Sequence, residues 1–183
     1  MSYATDYLMK LRTALDSLDA ERIDAFCEIV AKVRDEGRQL FVCGNGGSSA
    51  TASHFASDLG KGASLGKPKR FKVLSLSDNV PWFSSLANDI NYESVFVEQL
   101  RNFAEPGDVL IAISGSGNSP NVLRAVEYAN EIGMVTIGVA GFKGGKLAPL
   151  CRHSLIVDSN HMGRIEDGHF VVMHVLAYYF MEQ

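Results

Sequence analysis

The sequence predicts a doubly wound α/β fold: a five-stranded parallel sheet between two layers of helices, preceded by a helical N-terminal extension. Three observations lead there. Five short apolar runs rich in Val, Ile and Leu recur at residues 39–43, 72–76, 108–113, 134–139 and 154–157. Most end in small or turn-forming residues and lead into a stretch of helical periodicity, the alternation that builds a parallel sheet covered on both faces. A chain of 183 residues, 46% apolar and 21% charged, has the size and make-up of one globular domain with a substantial core.

The elements follow in order. Leu8, Leu11, Leu15 and Leu18 recur at three- and four-residue steps and predict an amphipathic helix. Phe26, Ile29, Val30 and Val33 predict a second, ended by Gly37. Residues 1–36 thus form the extension and residues 37–183 the α/β core of a single domain, with no linker-like tract between them. After the first strand a helix is expected over residues 49–59, and the last helix over residues 163–181. Right-handed crossovers complete a three-layer, flavodoxin-like sandwich, in which ligands bind at the carboxyl ends of the strands near the point where strand order reverses.

Composition narrows the function. The net charge of −4 comes without a basic stripe, which argues against nucleic acid as a partner, so an anionic ligand must be held by a local site. Cys27, Cys43 and Cys151 form no CxxC pair, and neither a disulfide framework nor a zinc ribbon is expected; a reducing, cytoplasmic compartment fits. The N-terminal residues carry acidic groups and lack the apolar core of a signal peptide. The longest apolar run, 170–180, contains His174 and is too short to span a bilayer, so no membrane association is expected.

Two loops stand at the predicted ligand edge. Gly44-Asn45-Gly46-Gly47-Ser48-Ser49 follows the first strand, and Ser114-Gly115-Ser116-Gly117-Asn118-Ser119 follows the third. Glycines let the backbone approach a ligand, and backbone N–H groups at a helix start attract anions. Ser114, Ser116 and Ser119 add hydroxyl donors without adding charge. A tight turn with a serine helix cap is the plainer alternative for one such loop; two at the same edge favour a ligand site. Neither loop ends in Gly-Lys-Ser/Thr or matches GxGxxG, so a small sugar phosphate is favoured over a nucleotide.

On the helix that opens at the first loop, His54 and Asp58 are four residues apart and share a face. Such a pair suits general acid–base work or a divalent metal; taken singly, a core-edge histidine and a surface acid are the bland alternatives.

Val42-Cys43-Gly44-Asn45-Gly46-Gly47-Ser48, Ser53-His54-Phe55-Ala56, Ser114–Ser119, Leu86-Ala87-Asn88-Asp89 and Arg164-Ile165-Glu166-Asp167 together resemble the sugar-isomerase (SIS) domain. Within it they resemble the bacterial phosphoheptose isomerases, which convert sedoheptulose 7-phosphate to D-glycero-D-manno-heptose 7-phosphate, a precursor of activated heptose for lipopolysaccharide or capsule. The resemblance runs from about residue 37 to the end. It implies a ketose–aldose isomerase, typically a homotetramer with sites between subunits, that uses zinc. It assigns phosphosugar contacts to Asn45, Gly46, Gly47, Ser48, Asn88, Asp89, Ser114, Gly115, Ser116, Ser119 and Glu166. It assigns metal contacts to His54, Asp58, Glu166 and His174, with Asp58 as catalytic base and His174 as its acid–base partner.

The chain departs from that pattern in places. Asp58 stands where the family has Glu, withdrawing the carboxylate by about 1.5 Å, a displacement that matters for positioning. Glu166 replaces a Gln, Gly163 an acidic residue, and Gly62 a basic one beside Lys61. His169 matches no catalytic position and is expected to be structural. Glu166 and His174 stand about 12 Å apart along a regular helix, too far to share one ion unless they lean far toward it, the helix starts irregularly near Glu166, or a neighbouring subunit contributes. Two other functions compete: a non-catalytic sugar-phosphate sensor or protein-interaction module, and an isomerase of another phosphosugar.

Overall fold

In the computed structural model, which describes residues 1–183, the five strands are β1 (Gln39–Gly44), β2 (Lys72–Ser75), β3 (Val109–Ser114), β4 (Val135–Gly141) and β5 (His153–Val157). All pair in parallel, in the order β2-β1-β3-β4-β5. Strand order reverses between β1 and β3, so the two glycine- and serine-containing loops leave the sheet side by side at the switch point. Every expected strand forms. β1, β3 and β4 each extend one or two residues further than the apolar pattern suggests, because the ladder continues through small residues such as Gly44, Ser114 and Gly141.

The helices are α1 (Tyr3–Asp16), α2 (Ala20–Asp35), α3 (Gly47–Ser57), α4 (Val80–Asp89), α5 (Val97–Phe103), α6 (Pro120–Glu131), α7 (Leu147–Leu150) and α8 (Met162–Met181). Their starts follow local chemistry. Ser2 and Asp19 accept from the backbone N–H groups of Thr5 and Arg22, capping α1 and α2. Asn79 caps α4 through Trp82 N–H, and Pro120 opens α6, where its missing N–H is not needed. Alternation along the strands feeds two cores. Leu40, Val42, Ile111, Ile113, Ile137 and Val139 meet α2, α3 and α8 on one face. Phe41, Cys43, Leu110, Ala112 and Ala140 meet α5, α6 and α7 on the other.

Two local differences from the sequence pattern bear on function. The helix expected over 49–59 starts at Gly47 and ends as a π-helical turn, Asp58–Gly62, closed by Ala63 N–H donating to Asp58 C=O. Gly62 leaves space there that the Met181 side chain of α8 fills, so a side chain at 62 would displace it. The leucine stripe of α1 is only half covered: Leu11, Leu15 and Leu18 are half-buried and Leu8 is exposed. α8 buries Val172, Met173, Leu176 and Phe180 but leaves Val171, Val175, Tyr178 and Tyr179 at the surface, and no helix is long and apolar enough to cross a membrane.

His169 behaves as the structural histidine its sequence context predicts. It is 1% exposed, and neither ring nitrogen makes a well-formed hydrogen bond. Burial holds its pKa down to about 4, against a slight upward pull from the Ala140 carbonyl. The unfolded chain therefore takes up this proton below about pH 6.5 while the folded chain does not until about pH 4. Stability falls as pH drops through that window, by about 3 kcal/mol in full. Urea melts of the wild type and His169→Phe at pH 7, 5.5 and 4 should show this one-proton component in the wild type and its absence in the variant.

Candidate active site

The site is assembled by two helices that begin beside each other at the carboxyl edge of the sheet. α3 follows β1 and α8 follows β5, and they run in the same direction. At their starts Gly47 faces Glu166, further along His54 faces Phe170 and His174, and at their ends Gly62 meets Met181. Gly46 caps α3 with φ +54°, a backbone conformation that favours glycine. Gly47 lets the Glu166 carboxylate pack close: a Cβ there would stand 3.0 Å from Glu166 Oε1.

At the helix starts lies a cavity of about 170 Å³ lined by Asn45, Ser48, Ser114, Ser116, Ser119 and Glu166, with Gly115, Ile113 and Met162 completing the wall. The plain reading of its serine loop as a helix cap does not hold. Ser119 is the N-cap of α6, yet its hydroxyl caps nothing and lies 3.3 Å from Ser114 Oγ. The backbone N–H groups of Gly115, Ser116 and Ser119 donate to no group within the chain. Hydroxyls and free N–H groups thus converge on one small space, an arrangement suited to the oxygens of an anion. A larger cavity, about 450 Å³, lies between Ser53, Asp78, Trp82 and Phe103, and half its lining is hydrophobic.

About two helical turns along α3 and α8, His54, Asp58 and His174 come together. Their atoms form a triangle: His54 Nε2 to His174 Nε2 is 3.1 Å, His54 Nε2 to Asp58 Oδ2 is 3.2 Å, and His174 Nε2 to Asp58 Oδ2 is 3.9 Å. Asp58 Oδ2 is buried and has no hydrogen-bond partner. A buried carboxylate oxygen left in that state is unfavourable unless a cation or protonated imidazole answers it. Zinc held at about 2.0–2.1 Å keeps tetrahedral ligand atoms about 3.3 Å apart, so the donor set and its spacing fit a divalent ion with one coordination face open. Phe170 packs against both imidazoles, at centroid distances of 4.9 and 4.5 Å, and fixes their rings.

The sequence-derived residues therefore fall into three places. Asn45, Ser48, Ser114, Gly115, Ser116, Ser119 and Glu166 line the cavity, with Gly46 and Gly47 at its rim. His54, Asp58 and His174 form the triad. Glu166 is not part of the triad; α8 is regular from Met162, and its carboxylate stays with the cavity and Gly47. Asn88 and Asp89 lie at the exposed end of α4, hydrogen-bonded to one another, and do not reach the cavity. Space opened by Gly163 is taken by Tyr7 of α1, whose Oη would stand 3.0 Å from a Cβ at 163. That hydroxyl donates to Asp167 Oδ2 at 2.7 Å, which raises the phenol's pKa.

Three residues escaped the sequence pattern: Phe170, Asn121 and Tyr92. Phe170 was recoverable from helical spacing, four residues from both Glu166 and His174. Asn121 and Tyr92 bind to the side chain of Asn45 from distant segments, and no local spacing announces that.

Known proteins match this architecture closely. The model of the SIS domain family matches residues 3–141. A phosphoheptose isomerase of Helicobacter pylori (strain P12) is 39% identical over 167 residues, covering 91% of this chain and 86% of the relative. A probable phosphoheptose isomerase of Thermoplasma volcanium is 34% identical over 173 residues, 94% of this chain and 88% of the relative. The solved phosphoheptose isomerase of Neisseria gonorrhoeae superposes with a TM-score of 0.89 at 28% identity, covering 98% of this chain and 97% of the other. With the switch-point loops and the histidine-bearing helices in the same fold, the chain belongs to the SIS domain family and, within it, to the phosphoheptose isomerases.

Proposed function

We propose that this protein isomerises sedoheptulose 7-phosphate to D-glycero-D-manno-heptose 7-phosphate, with the phosphoryl group in the serine cavity and the reacting carbons at the His54–Asp58–His174 triad. The observation that carries this is the pairing of the two places on one pair of parallel helices. Glu166 and His174 are separated by about 12 Å of helix rise, and seven bonds from the ketose carbonyl carbon to phosphorus span about 9 Å when extended. A seven-carbon chain fits that separation better than a five-carbon one, which is shorter by two bonds.

Isomerisation takes a proton from C1, forms an enediol(ate), and returns a proton to C2, while the oxygens exchange a proton in the opposite sense. Asp58 carries the carbon-bound proton. Its Oδ2 is engaged with the two imidazoles, which leaves Oδ1 to act as base. His174 protonates the ketone oxygen and takes the proton from the C1 hydroxyl, so the net reaction needs no oxidant or reductant. His54, Asp58 and His174 would hold zinc, which would supply polarisation of the carbonyl. Ser114, Ser116 and Ser119, with the free backbone N–H groups and Asn45, Gly46, Gly47 and Ser48, hold the phosphoryl oxygens. Glu166 accepts from sugar hydroxyls in between.

The half-covered stripe of α1 and the exposed apolar face of α8 support assembly into a homotetramer. Asn88 and Asp89, exposed and remote from the cavity, then serve a site completed by a neighbouring subunit. The reduced state of Cys27, Cys43 and Cys151, all buried and unpaired, fits a cytoplasmic setting.

The deciding experiment is incubation of the purified protein with sedoheptulose 7-phosphate, following aldose formation. Tight binding without turnover would indicate a sensor instead, and turnover only of a five- or six-carbon ketose phosphate would redirect the substrate. Asp58→Asn should lower kcat by a factor of about 10²–10⁴, the usual weight of a general base, with phosphosugar affinity by calorimetry nearly unchanged. Asp58→Glu should preserve or raise kcat.

Treatment with a chelator should abolish turnover, and added zinc should restore it; activity that survives exhaustive chelation would remove the metal from the scheme. Glu166→Gln should lower KM about threefold at low salt by removing a negative charge beside a dianion, an effect that shrinks at high ionic strength.

A further inference from the structure

We propose that Asn121 is a positioning residue that turns Asn45 into a donor-only wall of the phosphoryl cavity, an inference that rests on the phosphosugar function proposed above. The chain of hydrogen bonds has a fixed origin. Val122 N–H, near the start of α6, donates to Asn121 Oδ1 at 3.0 Å. A backbone N–H can only donate, so the orientation of the Asn121 amide is set. The same Oδ1 accepts from Asn45 Nδ2 at 2.9 Å, and Asn121 Nδ2 donates back to Asn45 Oδ1 at 2.8 Å. Tyr92 Oη then donates to Asn45 Oδ1 at 2.9 Å.

The consequence is arithmetic of lone pairs. Asn45 Oδ1 has two acceptor sites and both are filled, by Asn121 and Tyr92; Asn45 Nδ2 has two N–H groups and one is committed to Asn121. What Asn45 retains for the cavity it lines is a single N–H. Left free, a carboxamide can present oxygen or nitrogen to a ligand, and oxygen would repel a phosphoryl group. Asn121 is 1% exposed and touches no part of the cavity itself, so it acts through Asn45. The amide pair also ties the loop after β1 to the helix after β3, holding the two ligand loops at one spacing across the switch point.

The test is a double-mutant cycle on Asn45→Ala and Asn121→Ala, read by calorimetric Kd for inorganic phosphate and by KM and kcat for sedoheptulose 7-phosphate. In the wild-type background Asn121→Ala should weaken phosphate binding on the order of tenfold and raise KM alike, because one hydrogen bond to a charged acceptor is misdirected, with kcat within about twofold. In the Asn45→Ala background the same change should alter Kd by less than about twofold, which a general packing defect would not reproduce. Independent, multiplicative effects overturn the inference, as does an Asn121→Ala protein that binds phosphate as the wild type does. If Asn121→Ala does not fold, Tyr92→Phe decides: a two- to threefold rise in Kd supports the network, and no change overturns it. Phosphate binding that obeys the cycle in a protein without isomerase activity keeps the inference and removes the proposed reaction. Turnover with a Kd indifferent to Asn121 does the reverse, and a wild type that binds no phosphate removes both.

Discussion

α3 and α8 touch along their whole shared length, and the geometry of the candidate site depends on that contact. Both helices begin where strands of the sheet end, so both carry a positive dipole end toward the loops after β1 and β5. At the start Gly47 leaves room for the Glu166 carboxylate. At the far end Gly62 leaves room that Met181 fills. Between those two glycines the helices hold His54 and His174 with their Nε2 atoms 3.1 Å apart. Phe170, wedged against both rings, orients the two histidines. The separation of cavity and triad is then a property of helix rise rather than of any loop, and rigid elements hold functional groups more accurately than loops do.

That packing also concentrates an electrostatic problem at Asp58. Its Oδ2 is buried without a hydrogen bond and faces two imidazoles. Two neutral rings with facing nitrogens can share one proton between them and still leave the carboxylate poorly answered. A cation at the centre of the triangle answers all three atoms at once. The π-helical turn that starts at Asp58 fits this picture, since such turns mark places where a helix departs from its lowest-energy form for a local purpose. With Asp in place of a longer acid, the oxygen already sits within 3.2 Å of His54 Nε2.

The sheet and its ligand edge were legible in the sequence because both depend on local pattern. Strand runs, Gly37 and the two Gly/Ser loops obey rules of a few residues' reach, and each appears where expected. His54 and Asp58 were legible as a pair because helical spacing is itself local, and their meeting with His174 followed only from family resemblance. The place of Glu166 was not legible: family resemblance put it among the metal contacts, helix rise left open how it could reach them, and along the regular α8 it stays apart from the triad. The amide pair of Asn45 and Asn121, 76 residues apart, had no sequence signal, because no periodicity reports on which side chains face one another across a sheet edge. The leucine stripe of α1 shows the same limit: an amphipathic stripe predicts the helix, which forms, without stating what covers its apolar face.

Taken from the serine cavity to the triad, the polarity of the chain's own groups describes the ligand. The first stretch offers donors: four serine hydroxyls, the unpaired N–H groups of Gly115, Ser116 and Ser119, and the remaining N–H of Asn45. The carboxamide oxygen of Asn45 is filled from behind, which leaves the Glu166 carboxylate as the acidic acceptor of the wall. Next comes Glu166, an acceptor with no basic partner within reach. Last comes the triad, able to hold positive charge and to move protons. A molecule complementary to this series carries only acceptors at one end, hydroxyl donors along its middle, and a carbonyl flanked by an acidic C–H at the other. A nucleotide fails at the last position, since its base offers no such carbon acid. A free sugar fails at the first, since its hydroxyls would leave the donors unanswered. A ketose phosphate satisfies all three, and the helix rise between Glu166 and His174 favours one with its phosphate far from its carbonyl.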